Sequence, residues 1–340
     1  MKSRLAKVFS NAWGQRVSII VVIMIVMAIA EPAFFRITNL RSILIQISIH
    51  GIMACGMLLV VLVGGIDLSL GSMSALGCVI SLSYVVEHGT GNAAFFTAVG
   101  IVFLIAILIG LIHGIFDAFL RLPAFIVTLA TQYALYGIAT QYTDGAYVHL
   151  TEYSGLYYML GNAKVLGIPF SVAAFVIFAA ATAVLLEKTT YGRRIYMAGG
   201  NSRAAKLVGT NSKLVKISAY VICSLTAVIG GLILSAQNLT ATYITGKGYE
   251  GRVMMVIVVG GISLMGGEGG IGGVLFGALL VGILNNMVIL LGISTDYSEL
   301  FQGIVIIFAV AVNIYSGRRS MGLISQRRKR IRGLGKSSPQ

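Results

Sequence analysis

Ten runs of apolar residues dominate this chain of 340 residues, and their lengths constrain its fold more than any other feature. A membrane-spanning helix needs about 20 mostly apolar residues, with a range of roughly 17–25. By that measure the candidate spans are 17–30, 43–63, 71–87, 93–120, 124–140, 168–186, 215–236, 253–266, 271–291 and 298–316. Because open strands cannot satisfy their backbone hydrogen bonds in lipid, we predict an all-α, polytopic transmembrane helical bundle. Two short runs and one poorly separated pair leave nine or eleven spans open.

The composition supports the same class of protein. Charged residues make up 11% of the chain, against about 25% in soluble domains. The 42 glycines suit helices that pack closely in lipid, where association depends on small residues. The three cysteines, Cys55, Cys78 and Cys223, lie inside apolar runs without metal-ligand spacing, so no metal or cofactor is expected.

The distribution of the positive charge predicts the orientation and argues against nucleic acid as a partner. With ten spans and both termini in the cytoplasm, inner segments hold 20 of the 25 lysines and arginines, as the positive-inside rule requires. We therefore expect a cytosolic segment 1–16, a transmembrane domain 17–316 and a basic cytosolic tail 317–340, which anionic lipid would attract. The first run resembles a secretory signal, which we interpret as a retained anchor.

A carboxylate interrupts the apolar pattern in the segment 63–72, VGGIDLSLGS. An acid between two apolar runs is costly unless it faces water or a partner, so Asp67 either caps the helix that follows or lies on a solute path. The pattern VGGI-x-L recurs at 259–264 with Ser263 in place of the acid. An internal repeat and independent use of glycine at a helix break both explain it.

The longest polar stretch on the predicted inner side is 187–214. Its part from Ser202 to Val208 contains good helix formers between glycines, which predicts a short surface helix. A plain positive-inside loop is one interpretation, and a dock for a cytosolic partner is the one that we favour. The residues proposed to carry it are Gly192, Arg193, Gly199, Gly200, Asn201, Ala205 and Gly209.

Other polar residues are candidates for a solute path or for contact with a second protein. The amides Gln46, Gln132, Asn285 and Asn286 lie within apolar runs, where they can bind a hydroxylated solute or bond neighbouring helices. In the outer segment 237–252, the candidates for protein contact are Tyr249, Glu250 and Arg252. Asp117 and Arg121 have the i, i+4 spacing of a helix ion pair.

The chain lacks the motifs of an enzyme or of an autonomous pump. There is no nucleotide-binding loop, because Arg330 stands where the leading glycine of a GxxxxGK[ST] motif would be. No HExxH motif and no serine elbow are present. Energy for transport is therefore expected from another chain. A gradient-driven secondary transporter is the alternative, disfavoured because Asp67 is nearly alone among intramembrane acids.

Dispersed motifs in a fixed order give the chain a family resemblance. It resembles the ribose/xylose/arabinose/galactoside-type permeases of bacterial ABC importers over roughly residues 16–316. The segments that carry the resemblance are GGIDLS at 64–69, PAFIVTL at 123–129, GR at 192–193 with AGGN at 198–201, GYE at 248–250, VGG at 259–261 and LNN at 284–286.

The resemblance implies a ten-span fold of the vitamin-B12-importer type (type II) and the import of a small polar solute, most simply a monosaccharide, across the bacterial inner membrane. It implies two cytosolic ATPase domains, a second permease copy or paralogue and a periplasmic solute-binding protein as partners. The resemblance also implies that 187–214 is the loop that couples the permease to the ATPase, and that the region of Glu250 and Arg252 is a dock for the binding protein. A nucleoside or a branched-chain amino acid stays open as the solute. Gly251-Arg252 replaces an apolar residue and an acid often found there, which puts transfer of a particular partner in doubt.

Overall fold

A computed structural model describes residues 12–150, 152–153 and 155–292, together with 297, 300, 303 and 304. Helices make up most of this part of the chain. They are α1 (Ala12–Ala30), α2 (Ile37–Leu62), α3 (Leu70–His88), α4 (Asn92–Ala118), α5 (Ala124–Tyr142), α6 (Gly155–Asn162), α7 (Phe170–Lys188), α8 (Thr190–Gly200), α9 (Ser202–Leu207), α10 (Ser212–Asn238), α11 (Tyr249–Val259) and α12 (Ile271–Leu290), with a 3-10 turn at Pro32–Phe35.

Six of these helices are both long and apolar enough to cross a membrane: α2, α3, α4, α7, α10 and α12. The protein is therefore a polytopic helical membrane protein. Helices occupy nine of the ten predicted span positions, and the tenth, 298–316, lies almost wholly outside the described residues. The eighth prediction was too long, since α11 ends at Val259 instead of continuing to 266.

Helix α2 forms the centre of the bundle. Its apolar window is 83% buried, whereas that of α4 is 22% buried, which places α4 at the periphery. α2 packs against α7, α10, α11 and α12, and α4 packs mainly against α10. Gly110 and Gly114 on α4 allow this approach, because an added Cβ at either would meet the backbone of Val221 or Ile217 at about 2.5 Å. The spacing is that of a small-xxx-small helix contact.

The repeated VGGI segments, at 63–66 and 259–262, end α2 and α11 in the same way. After α2, the amide of Gly65 donates to the carbonyl of Val60, and after α11 the amide of Ile262 donates to that of Ile257. These are the 6→1 bonds of a Schellman-type helix end. The left-handed residue is Gly64 in one case and Gly261 in the other. By helix-end geometry Gly64 therefore corresponds to Gly261, whereas the alignment of the two VGGI segments pairs Gly64 with Gly260. The two correspondences differ by one residue.

Short antiparallel pairings connect the segments that follow two of the long helices. Strand β1 (Val148–His149), after α5, pairs with β4 (Thr240–Ala241), after α10. A hairpin joins β2 (Lys164–Val165) and β3 (Ile168–Pro169). The β1–β4 pair holds the end of α5 beside the chain that leads into α11, and the polar cleft described below lies between α5 and that chain.

Candidate functional site

The predicted docking segment contains two helices. The predicted short helix at Ser202–Val208 is confirmed as α9, which Asn201 caps by accepting from the amides of Arg203 (3.1 Å) and Ala204 (3.0 Å). Helix α8 was not predicted. Thr189 caps it by accepting from the amide of Gly192 at 3.1 Å. Ala205 is the buried residue of α9, and Gly209, with φ +77°, follows it.

Helix α8 packs by backbone contact onto the ends of two other elements. An added Cβ at Gly199 would overlap the carbonyl oxygen of Leu62, the last residue of α2, and would lie 2.8 Å from the amide of Gly267. That amide donates to the same Leu62 carbonyl at 2.9 Å. Gly266 in turn packs on the backbone of Gly64. We call these five residues the glycine junction.

The neighbouring Gly200 contacts Gly267 through its backbone, since a Cβ on Gly267 would lie 2.6 Å from the Cα of Gly200, but its own Cβ position is open. A Cβ there would meet only the Cα of Gly267, at 3.9 Å. Tyr196 adds a second link, because its hydroxyl donates to the carbonyl of Gly269 at 2.8 Å. Burial, and secondarily the nearby carboxylate of Glu187, raises the pKa of Tyr196, so the hydroxyl keeps the proton that it donates.

The outward side of α8 and α9 combines basic and apolar side chains. Arg193 and Arg203 are exposed, and Leu207 is 89% exposed. Met265, in the loop that carries the glycine junction, is also 89% exposed. A helix pair with this surface, joined rigidly to membrane helices, can transmit a force applied by a second protein.

Asp67 has a histidine as its neighbour inside the bundle. Its Oδ2 lies 3.6 Å from Nδ1 of His113 on α4, and both side chains are fully buried. Its Oδ1 accepts from the amide (2.9 Å) and the hydroxyl (2.6 Å) of Ser69, one residue before α3. Asp67 thus orders the chain just before α3, but it does not cap the helix, because Ser69 occupies the N-cap position.

The predicted pair of Asp117 and Arg121 does not form. Oδ1 of Asp117 accepts instead from Nζ of Lys216 on α10 at 2.8 Å, and Oδ2 accepts from the hydroxyl of Tyr220 at 3.2 Å. Arg121 lies beyond the end of α4 with φ +55° and is exposed. The i, i+4 argument failed because α4 ends at Ala118, before Arg121 can lie on the same helix.

A polar cleft of about 430 Å³ lies between α5 and the chain at 243–250. On α5 it is lined by Gln132, Tyr136 and Thr140, at i, i+4 and i+8, a spacing that places side chains on one face of a helix. Tyr243, Lys247 and Glu250 line the opposite side. Nε2 of Gln132 donates to Oε1 of Glu250 across the cleft at 2.8 Å.

The cleft unites residues that the sequence assigned to separate roles. Gln132 was a path candidate and Glu250 a docking candidate, and they contact one another in the structure. Tyr249 stacks on His50 of α2 with ring centroids 4.5 Å apart, and the guanidinium of Arg252 lies 5.3 Å from the Tyr249 ring centre. Tyr249, Glu250 and Arg252 belong to the first turn of α11 and are partly buried. Their role as a dock stays a prediction.

The other predicted path residues lie elsewhere in the bundle. Asn286 exchanges two hydrogen bonds with Asn39, at 2.9 and 2.7 Å, which is the helix-bonding use of an intramembrane amide. Asn285 and Gln46 are partly buried. The structure brings neither into the cleft with Gln132, and their contact with solute stays a prediction.

Several cleft residues were missed from the sequence: Tyr133, Tyr136, Tyr243 and Lys247. The missed signal was the polar stripe on α5, since Gln132, Tyr136 and Thr140 are spaced four residues apart. The residues from the 243–247 segment carried no comparable signal, because their partners on α5 are more than a hundred positions away in the sequence.

Comparison with known proteins identifies the family. The family model described as the permease component of branched-chain amino acid transport systems matches residues 39–310. The ribose import permease protein of Escherichia coli (strain K12) is 38% identical over 310 residues, covering 90% of this chain and 95% of that protein. The L-arabinose transport system permease protein of the same strain is 34% identical over 313 residues (90% and 92%).

A third relative is the galactose/methyl galactoside import permease protein of Salmonella typhimurium (strain LT2), which is 30% identical over 322 residues, covering 88% of this chain and 94% of that protein. No solved structure matches the chain. The resemblance noted from the dispersed motifs is confirmed by these relatives. The match of the family model over most of its length shows that this chain belongs to the family of membrane permease components of solute transport systems.

Proposed function

We propose that this chain is the membrane-spanning permease subunit of an ATP-binding-cassette importer that carries a monosaccharide across the bacterial inner membrane. Family membership makes it a transport component, with ATP hydrolysis in a separate chain. The names of the relatives, which are permeases for ribose, arabinose and galactosides, support a sugar as the solute. The expected partners are a cytosolic ATPase, a second permease copy or paralogue and a periplasmic binding protein.

The observation that carries the proposal is the attachment of α8 to the membrane helices. An importer driven by a separate ATPase needs an element outside the spans that the ATPase can grip and that moves the spans when it is displaced. Helix α8 contacts the end of α2 and the loop before α12 through backbone atoms at Leu62 and Gly267. Backbone contacts have no side-chain rotation with which to absorb a displacement.

The remaining topology follows from this role. The segment 187–214 is then cytosolic, which places both termini in the cytosol if the bundle has ten spans and the type II fold. The segment 1–16 and the tail 317–340 would be cytosolic as well. The cleft between α5 and the 243–250 segment then opens towards the outer face, where a binding protein delivers its solute.

A gradient-driven carrier is the second candidate, and the buried Asp67–His113 pair is the observation in its favour. Intramembrane acid and histidine residues are common in proton relays. Both side chains, however, are fully buried, and Asp67 is held by the amide of Ser69 at a helix start. This arrangement supports a structural role for the pair over a role in proton transfer.

The decisive experiment is a comparison of energy sources in the native membrane. The tagged chain is purified in mild detergent, the co-purifying chains are identified by mass, and uptake of D-ribose, L-arabinose and D-galactose is measured in the intact cell. We expect an ATPase chain in the complex, and uptake that stops on ATP depletion while the ion gradients are clamped. Uptake that survives ATP depletion, or a permease without an ATPase after cross-linking, would move the assignment to the gradient-driven carrier.

A further inference from the structure

We propose that the polar cleft between α5 and the 243–250 segment is a solute-binding site for one neutral, polyhydroxylated molecule the size of a monosaccharide. In this site the amide of Gln132 and the carboxylate of Glu250 bind hydroxyl groups, and tyrosine rings form the walls. The inference rests on the proposed function for its solute class and adds to it a site on this chain.

The first argument is the polarity of α5. This helix has 19 residues, enough to cross the hydrocarbon core, but it is not apolar enough to count among the six candidate spans. Its stripe Gln132, Tyr136, Thr140 extends for about 12 Å, at 1.5 Å per residue. Such a stripe is costly against lipid and is expected to face protein or water. The cleft provides such an environment along the full length of the stripe.

The second argument is the type of hydrogen-bonding group in the cleft. Gln132 donates one of its two amide hydrogens to Glu250, which leaves one donor and its carbonyl oxygen for another partner. The hydroxyls of Thr140, Tyr136 and Tyr243 can likewise donate or accept. Sugar hydroxyls do the same, so a set of neutral groups of this kind matches a polyol.

The third argument is a pair of unsatisfied atoms at the back of the cleft. The hydroxyl of Tyr136 and Oε2 of Glu250 are buried and have no hydrogen-bond partner in the described part of the chain. Both lie beside Gly71 of α3, where an added Cβ would collide with them. An unpaired buried polar group is unfavourable, so a solute hydroxyl that reached these two atoms from the cleft would be bound favourably.

The dimensions and the aromatic lining of the cleft suit a sugar. Its volume of about 430 Å³ lies in the range of roughly 300–1,000 Å³ typical of small-molecule sites. Most of its lining surface is apolar, and Tyr133, Tyr136 and Tyr243 contribute rings that suit the apolar face of a sugar ring. Lys247 and Glu250 could instead pair with the two charges of an amino acid, so an amino acid is the comparison ligand in the test.

The test uses a cysteine placed inside the cleft. Gly137 lines the cleft, and a Cβ there meets no atom within 4 Å, so Gly137→Cys leaves the fold unstrained. The matched control is Gly100→Cys on the periphery of α4, which is equally open. The chain's own Cys55, Cys78 and Cys223 are buried, which keeps the background of labelling low.

The rate of labelling by a small thiosulfonate is measured on the importer purified with its partners. The probe is whichever of D-ribose, L-arabinose and D-galactose the wild-type importer takes up, with L-leucine as the comparison. At a probe concentration about ten times its dissociation constant, labelling of Gly137→Cys should slow about tenfold, because only empty sites react. The rate for Gly100→Cys should not change.

Uptake by a second pair of variants provides a functional readout. Gln132→Leu should reduce uptake about tenfold or more, since it removes the amide that bonds Glu250 and the proposed solute, whereas Gln141→Leu, on the exposed side of the same helix, should leave uptake unchanged. A further outcome is that the wild type takes up a sugar that does not slow the labelling of Gly137→Cys and whose uptake is unchanged in Gln132→Leu. In that case the cleft is not the binding site of the sugar, and the proposed function survives. Protection by L-leucine alone would overturn the neutral polyol. Failure of the wild type to take up any of the three sugars would overturn the proposed function itself.

Discussion

The glycine junction makes a prediction about two adjacent glycines that the sequence does not distinguish. In Gly199→Ala the new methyl group overlaps the carbonyl oxygen of Leu62 and lies 2.8 Å from the amide of Gly267. Neither backbone atom can rotate away, so α8 and α2 must separate by more than about 1 Å to restore a normal contact. In Gly200→Ala the new methyl group meets only the Cα of Gly267, at an ordinary 3.9 Å.

The two substitutions are expected to change the free energy of unfolding in different directions. Overpacking of this kind costs about 1–3 kcal/mol, and separation also stretches the bond between the Gly267 amide and the Leu62 carbonyl, worth about 1 kcal/mol. Gly199→Ala should therefore lower the free energy of unfolding by about 2–4 kcal/mol. Gly200 has no positive φ, so alanine there should be neutral or stabilise the end of α8 by up to about 1 kcal/mol.

The assay is equilibrium unfolding of the two variants and the wild type in mixed micelles, followed by measurement of sugar moved per ATP hydrolysed. Gly199→Ala should also lower the number of sugars moved per ATP, because the separated contact transmits less of the motion of α8. Equal stabilities for the two variants, to within about 0.5 kcal/mol, would refute the tight backbone contact. A destabilised Gly199→Ala variant that still moves the normal number of sugars per ATP would keep the contact but remove its role in coupling.

Two further pairs of variants test the polar contacts between helices. Asn286→Leu should lower the free energy of unfolding by about 1 kcal/mol, because it removes an interhelical amide hydrogen bond. Asn285→Leu changes a side chain without a hydrogen bond to another described residue and should alter the free energy of unfolding little. Equal losses for the two variants in detergent unfolding would contradict the assignment. Lys216→Met should cost about 1 kcal/mol because it removes the cation bonded to Asp117. Arg121→Met should have no effect on the thermal unfolding midpoint, and a larger loss for Arg121 than for Lys216 would restore the rejected ion pair.

The positions of the membrane helices could be predicted because they depend on local composition. A run of about 20 apolar residues has one stable arrangement in lipid, and α2, α3, α4 and α7 begin and end within a few residues of the predicted limits, apart from the early start of α2 at Ile37. Helix α11 differed because Gly260 and Gly261 end it, and the apolar run does not reveal that the backbone turns left-handed there.

Helix α8 was missed because its composition is that of a polar loop. The pattern that identifies it is the burial of Gly192, Ile195 and Ala198, three residues apart, after the capping Thr189. Small residues stand at two of these three positions, so the buried face carries Ile195 as its one large apolar side chain and the segment was interpreted as a loop. The contrast between Gly199 and Gly200 could not be predicted from the sequence, because it depends on Leu62 and Gly267, which are distant from both in the chain.

The partners of the buried polar residues were the least predictable feature. Gln132 and Glu250 are 118 positions apart, and Asn39 and Asn286 are 247 apart, so no local pattern links them. An isolated acid such as Asp67 indicates that a partner exists, but it does not indicate which helix supplies it. Sequence reasoning therefore found Gln132, Glu250, Asn286 and Asp67 but missed Asn39, and it could not group these residues into sites.

The segment from Leu62 to Gly71 relates the glycine junction to the cleft. Its first residue accepts the hydrogen bond from Gly267 that closes the junction, and its last residue packs against Glu250 and Tyr136 at the back of the cleft. Between them, Asp67 is held to α4 by His113, and the amide of Leu68 donates to the hydroxyl of Thr128 on α5 at 3.1 Å. We predict that a displacement of α8 reaches the cleft through this short stretch of chain, which contacts α4 and α5 on the way. Coupling by this route requires no charged residue to cross the membrane, which agrees with an importer whose energy comes from a separate ATPase.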